Sequence, residues 1–392
     1  MELLYDFDRE ICRKGTGAIK FDYLKDFFSR EDLTPLWVAD MDFAVAPEIT
    51  DALMERMRHP VYGYAGVPDS YWESIISWLD RHHSWKVARE ELAYVNGVVR
   101  GIAFIINYFT SPGDKILIQT PVYHLFRHLT EGNKRVCVTN PLINTDEGYE
   151  MDFEDLERKF ATESPKLMIL CNPHNPVGIQ WSAADLARVA SLAWKYGVIV
   201  VSDEIHGDLM LYGRRHIPFI TVSDDAREVG IALGAPSKTF NIPGIASSWI
   251  VIANEKLRAP FYEWMEVNEF SSPTFVATIA TEAAYRNGER WLAEAVNYIE
   301  ENIGFVERFC VERLPGIRVV RPQASFLVWL DCRALHLSHE ELIDLFENKA
   351  GLALNDGAMF GEEGTGCMRL NVGTTRRVLR EALEALERAL KS

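Results

Sequence analysis

The chain has 392 residues, 48% hydrophobic and 25% charged, with 57 acidic against 41 basic side chains and a formal net charge of −16. Such usage is that of a soluble globular protein long enough for two or three domains, and its acidity argues against nucleic acid or an anionic membrane as partner. Six scattered cysteines, with no Cys-x-x-Cys pair and no histidine cluster at metal-ligand spacing, point to reduced thiols in a cytoplasmic compartment and to no metal site, while the acidic N-terminus lacks an export signal and no apolar run nears the ~18 residues of a membrane span.

In chain order, short β-rich apolar runs alternate with helical periods from about residue 90. Residues 91–95 (ELAYV) are strand-like and lead through Gly97 into an apolar helix; residues 115–120, 166–171, 198–203, 230–235 and 248–253 read as buried strands. These runs are near-continuous rather than alternating, so both faces of the sheet are covered, as in a parallel or mostly parallel sheet flanked by helices. The stretch SAADLARVASLAWKYG is a complete helix with Ser182 as N-cap, Asp185 in the first turn, Leu186, Val189, Ala190 and Ala193 on one face, and Gly197 as its stop. After Ser271 the pattern changes to long helices, a strand pair within IRVVRPQASFLVWLDC, the helix SHEELIDLFENKAG, a Gly-rich irregular segment and a closing helix. The expected fold is α/β: a large domain over residues 46–285 with a mostly parallel sheet, and a smaller α+β domain made of residues 1–45 and 286–392. The tryptophans Trp37, Trp72, Trp78 and Trp85 read as core and dimer packing.

In open α/β sheets ligands bind beyond the carboxyl ends of the strands. Four successive strand ends carry polar or unusual residues: Tyr123 after Pro121 and Val122; Asn172, His174 and Asn175 in NPHNPVG; Asp203, Glu204 and His206; and Ser237 with Lys238. A lysine beside a desolvated strand end can have a lowered pKa and attack an aldehyde. Pyridoxal phosphate is such an aldehyde; Asp203 would keep its ring nitrogen protonated, Asn175 would hydrogen-bond its phenolic oxygen and Tyr123 would stack on its ring. The glycine turn into the helix that follows Asn96 is suited to a phosphate, because free N–H groups and the helix dipole point at an anion there. His206 is either a structural histidine or a partner orienting Asp203 or the ring oxygen, and His174 and Asn172 shape the loop that carries Asn175.

The stretches DEIHGDL, LCNPHNPVG, SKTFN and RLNVG, with WVADMDF near the start, resemble the fold-type I pyridoxal-phosphate enzymes of the aminotransferase class I/II superfamily, and more narrowly the MalY/PatB group of carbon–sulfur β-lyases. The likeness runs from about Pro35 to the C-terminal helix. It implies the pyridoxal-phosphate-dependent transferase fold, with Lys238 as the lysine bonded to the cofactor. Asp203, Asn175, Tyr123, His206 and Ser237 would lie around the cofactor, and the backbone at Val98 and Val99 on its phosphate. It further implies Arg369 paired with the substrate α-carboxylate, Asp40 on the substrate side, and Tyr64, or failing it Tyr62, reaching the site of a second subunit in a homodimer. Where many aminotransferases carry a phosphate-binding arginine after the lysine, this chain has Gly244, Ile245 and Ala246, and His206 stands where they often have tyrosine; both favour the lyase group. Pro243 and Arg100 depart from the expected pattern at the entrance of the site.

The implied reaction is α,β-elimination from a sulfur amino acid, giving a thiol or sulfide, pyruvate and ammonia. An aminotransferase would use the same lysine, aspartate and arginine, and a protein of this fold kept only for binding or regulation is a rival of another class; its expected mark, loss of the lysine or the aspartate, is missing.

Overall fold

The computed structural model describes residues 4–145 and 148–392. Its central sheet has seven strands, β1 (Leu92–Val95), β2 (Lys115–Ile118), β3 (Val136–Thr139), β4 (Leu167–Cys171), β5 (Ile199–Asp203), β6 (Gly230–Gly234) and β7 (Ser248–Val251), in the order β1-β7-β6-β5-β4-β2-β3. β2, β3, β4, β5 and β6 pair in parallel, whereas β7 runs antiparallel to both its neighbours. The carboxyl ends of β2, β4, β5 and β6 therefore open on one edge, where the chemistry-bearing turns emerge.

The apolar runs fill both faces, as their continuity requires. Along β4, Met168 and Leu170 join a core shared with Trp78, Trp85 and Trp249, while Leu167, Ile169 and Cys171 join a second core with Ile102, Val201 and Phe261. Edge strand β3 has no such run. Val136 on it is 47% exposed, so little burial marks it in the sequence.

Helices cover the sheet: α1 (Pro47–Arg58), α2 (Asp69–His83), α3 (Val98–Phe109), α4 (Ala183–Tyr196), α5 (Phe275–Asn287) and α6 (Glu289–Arg313). α4 begins and ends as its sequence dictates. Ser182 Oγ accepts from the Asp185 N–H at 3.1 Å, the Asp185 carboxylate accepts from the Ser182 N–H at 3.2 Å, and Gly197 takes the left-handed φ of 69° that closes the helix.

A second, antiparallel sheet is formed by β8 (Arg318–Val320), β9 (Leu327–Asp331), β10 (Asn355–Asp356) and β11 (Cys367–Asn371) in the order β8-β9-β11-β10. The chain closes with α7 (Arg376–Lys391). The core that lines one face of the central sheet continues through Trp291, Phe326, Trp329 and Leu370 into this second sheet. The four tryptophans of the N-terminal part are core residues, each no more than 9% exposed. Among the described residues no helix is long and apolar enough to cross a membrane.

Candidate active site

β6 ends against Ala235, and a one-turn helix, Pro236–Thr239, follows. Proline at its first position is pre-set for helical φ and lacks only an N–H that has no helical partner anyway. Lys238 rises from this turn into a cavity of about 390 Å³ whose walls include Gly97, Val98, Val99, Tyr123, Asn175, Asp203, His206, Ser237 and Lys238. The four strand ends singled out in the sequence thus meet in one space.

The lysine turn is clamped to the N-terminal motif. Lys238 Nζ donates to Ala39 O. Asn241, at a left-handed φ of 57°, accepts from the Met41 N–H at 2.9 Å and donates to Met41 O at 3.0 Å and Phe43 O at 2.9 Å. From the second sheet, Asn371 Nδ2 donates to Val38 O and Asp40 O, both at 2.6 Å, while its Oδ1 accepts from the Gly373 N–H. Two asparagines therefore fold WVADMDF against the lysine. Sequence reasoning assigned neither a role; the available signal was an asparagine three residues after Lys238 and another two after Arg369.

Burial sets the protonation of the site. It lowers Lys238 to about 8, with Arg369 pushing the same way and Asp40 and Asp203 opposing. It raises Asp203 to about 7 against the backbone N–H of Ile205 and the charge of Lys238, and Tyr123 to about 12. His206 is driven down to about 3 by burial and by the cations Lys238 and Arg369, so its imidazole is neutral. It packs edge-on to Phe326, and its Nδ1 is buried with no partner among the described residues.

Arg369 lies on β11, 3% exposed. Its guanidinium donates only to neutral oxygens: Asn175 Oδ1 at 3.0 Å, Trp37 O at 3.0 Å and Asn355 Oδ1 at 2.5 Å, and Phe360 packs 4.9 Å below it. Its Nε is buried and has no partner among the described residues. Burial lowers this guanidinium to about 10, yet it remains a cation at neutral pH. Such a cation, held by dipoles and with a donor to spare, is built to receive an anion. Because Asn175 spends its carbonyl on Arg369, its amide N–H groups remain for the cavity. Asn355, Phe360 and the Trp37 carbonyl complete this arrangement and were not read from the sequence.

At the opposite wall, Gly97 has φ 125°, and the first bond of α3 is Gly101 N–H to Gly97 O at 2.9 Å. The N–H groups of Val98, Val99 and Arg100 thus emerge at the positive end of the helix dipole. Arg100 and Pro243 also line the cavity; Arg100 donates to Asn96 O at 2.9 Å. Asn172 and His174 serve the loop itself, Asn172 Nδ2 donating to Ile217 O and the His174 N–H to Ile179 O.

Neither Asp40 nor Arg369 is among the residues that wall the cavity, and Tyr64 and Tyr62, expected to reach a second subunit, stand on the surface of this chain. The Asp40 carboxylate does not line the cavity but takes both arms of an ion cluster, bound by Arg13 at 2.6 Å and 3.9 Å from Lys20. Tyr64 is fully exposed in a surface segment without regular secondary structure. Tyr62 stacks on Phe275 and donates to Met57 O. An amine, a carboxylate, an amide, an aromatic ring and a helix N-terminus around one cavity fit an anionic aldehyde-bearing ring, with Arg369 left for a second anion.

The family model for aminotransferase class I and II matches residues 31–386. The chain is 41% identical to cystathionine β-lyase PatB of Bacillus subtilis (strain 168), covering 98% of this chain and 100% of that one. It is 32% identical to protein MalY of Escherichia coli (strain K12), covering 99% and 100%. Among solved structures it resembles the PLP-bound C–S lyase of Staphylococcus hominis, with a TM-score of 0.92, 32% identity, and coverage of 99% of this chain and 98% of that one.

Proposed function

The chain belongs to the aminotransferase class I and II family, and on that premise we propose that it is a pyridoxal-phosphate-dependent carbon–sulfur β-lyase. It eliminates the sulfur substituent of an amino acid such as cystathionine or cysteine as a thiol or sulfide, and water converts the remainder to pyruvate and ammonia. The observation that carries this reading is the buried pair of stations 194 positions apart in sequence, Arg369 and Asn175: one cation free for an α-carboxylate, beside the cavity that holds Lys238 and Asp203. The similarity to β-lyases over nearly the whole chain directs the chemistry to elimination rather than amino transfer.

When bound, pyridoxal phosphate supplies an aldehyde for the substrate's amino group and a ring that takes up the electron pair released at Cα. Lys238 would hold the cofactor in the resting enzyme and, once displaced, take the α-proton at Nζ; its lowering to about 8 raises the neutral share of the amine far above that of an ordinary lysine. Asp203 would hold the ring nitrogen, Asn175 Nδ2 the ring oxygen, and Tyr123 one face of the ring. His206 and Ser237 would line its pocket, and the N–H groups of Val98 and Val99 would bind its phosphate. Arg369 would grip the α-carboxylate and so orient the Cα–H bond for removal.

Tyr64 would act in a neighbouring copy: a fully exposed tyrosine on a surface segment outside the helices and strands suits a homodimer whose sites are shared. Six unpaired cysteines support a reducing, cytoplasmic compartment.

The deciding assay gives the purified enzyme cystathionine or cysteine with no keto acid. Pyruvate should appear in equal amount with the thiol released from cystathionine or the sulfide released from cysteine; an absolute requirement for a keto-acid acceptor would overturn the reading in favour of an aminotransferase.

A further inference from the structure

Behind the turn that carries Lys238, one carboxylate gathers three donors. Asp208 Oδ1 accepts from Trp78 Nε1 at 2.8 Å and lies 2.7 Å from His83 Nε2, while Oδ2 accepts from Thr239 Oγ1 at 2.8 Å. Trp78 and His83 belong to α2, and Asp208 to the turn that leaves β5 after Asp203. The His83 and Asp208 side chains are 8% and 9% exposed, and Thr239 is fully buried. Burial opposes ionisation of Asp208, but the bonds from His83, Trp78 and Thr239 outweigh it and hold its carboxyl below the usual range.

Thr239 follows Lys238 in the same helical turn. Successive helical side chains point about 100° apart, so when the threonine hydroxyl is pinned on one side, the direction of the lysine on the other is set. An apolar contact would have packed this turn without the cost of burying a charge; a carboxylate with three fixed donors adds an orientation that packing alone lacks.

We propose that Asp208 is a positioning residue for Lys238, acting through the Thr239 hydroxyl to fix the turn from which the lysine reaches the cavity. The proposal rests on Lys238 being the cofactor-binding lysine. The charges that reach Lys238 itself are those of Asp40, Arg369 and Asp203, and the ionisable groups against Asp208 are His83, His82 and Tyr285. Replacing Thr239 changes none of them.

The test compares Thr239→Val, which keeps the shape and removes the hydroxyl, with Thr239→Ser, which keeps the hydroxyl, both as holoenzyme acting on cystathionine. Thr239→Val should lower kcat about tenfold or more with KM within about twofold, since sub-ångström misplacement of a reacting group costs on this scale. It should also displace the pH midpoint of the bound cofactor's visible absorption, and Thr239→Ser should restore both. Asp208→Asn, which exchanges the charge for an amide of the same shape, is read in the same way if Thr239→Val does not accumulate. A fall in melting temperature with kcat and midpoint unchanged would overturn the proposal, as would a kcat loss with an unmoved midpoint or one that serine fails to reverse. If instead Lys238→Ala retains the wild-type absorption, the underlying assignment of the lysine fails, independently of Asp208.

Discussion

At the scale of single residues, the site is a set of groups whose ordinary chemistry has been moved by burial. Lys238, lowered to about 8, is protonated below that pH and neutral above it, and only the neutral amine attacks an aldehyde. The rate at which apoprotein captures pyridoxal phosphate should therefore rise about tenfold per pH unit below 8 and level off above it; stopped-flow absorbance checks this, and a flat profile between pH 6 and 8 would contradict it. Arg369 makes a second prediction. Replacing it by lysine removes the planar fork but keeps the charge, so KM for the amino acid should rise about 10- to 100-fold, the worth of a charge-assisted hydrogen bond. Cofactor affinity, followed by equilibrium dialysis, should hardly change. These two residues illustrate what a sequence can disclose. Lys238, Asp203, Asn175 and Tyr123 were legible because each directly follows an apolar run, and strand ends of a parallel sheet converge. Arg369 was legible only through likeness to a family. Its partners Asn355, Phe360 and the Trp37 carbonyl were not legible at all: they are brought to it by the antiparallel pairing of β10 and β11 and by the path of the N-terminal segment, neither of which has a local signature.

At the scale of elements, the strongly patterned pieces were readable and the weakly buried ones were not. Strands β2, β4, β5, β6 and β7 and helix α4 lie within a residue or two of their expected positions, since continuous burial and paired caps leave strong marks. β3 escaped because an edge strand buries little, and β10, two residues long, sits in a segment that reads as irregular. The junction between β1 and α3 carries its own prediction. A Cβ on Gly97 would meet nothing within 4 Å, so Gly97→Ala is limited by backbone conformation and not by space; at φ 125° it costs about 1–3 kcal/mol. The chain can relieve that strain only by turning the first N–H groups of α3, so cofactor affinity should fall together with melting temperature. Unchanged affinity would show that these N–H groups do not hold the phosphate.

At the scale of the whole molecule, two sheets share one apolar core and the site lies where polar clamps cross between them. Asn371→Ala would orphan the Gly373 N–H and the Asp40 carbonyl, and leave the Val38 carbonyl with only the Asp40 N–H as donor, at a position with no exposure. At about 1–3 kcal/mol for a buried unsatisfied group, it should lower thermal stability and loosen the WVADMDF segment, visible as faster hydrogen exchange there. The proposed dimer makes a sharper claim. Lys238→Ala and Tyr64→Ala should each be severely impaired, yet mixing them with reversible dissociation should restore about a quarter of wild-type activity, because half the dimers would then hold one intact shared site. No recovery in verified mixed dimers would show that Tyr64 serves no neighbouring site.

The asparagine clamps also bear on how the protein comes into being. Asn241 and Asn371 both grip the loop near Asp40, so the floor of the cavity depends on three segments made in turn, the last more than a hundred positions after Lys238. A growing chain can fold its central strands as they emerge, but Lys238 has no finished surroundings until the segment around Asn371 has left the ribosome. Cofactor capture should accordingly wait for that segment, and a nascent chain truncated before β11 should fold much of its central sheet while leaving the lysine unable to retain its ligand.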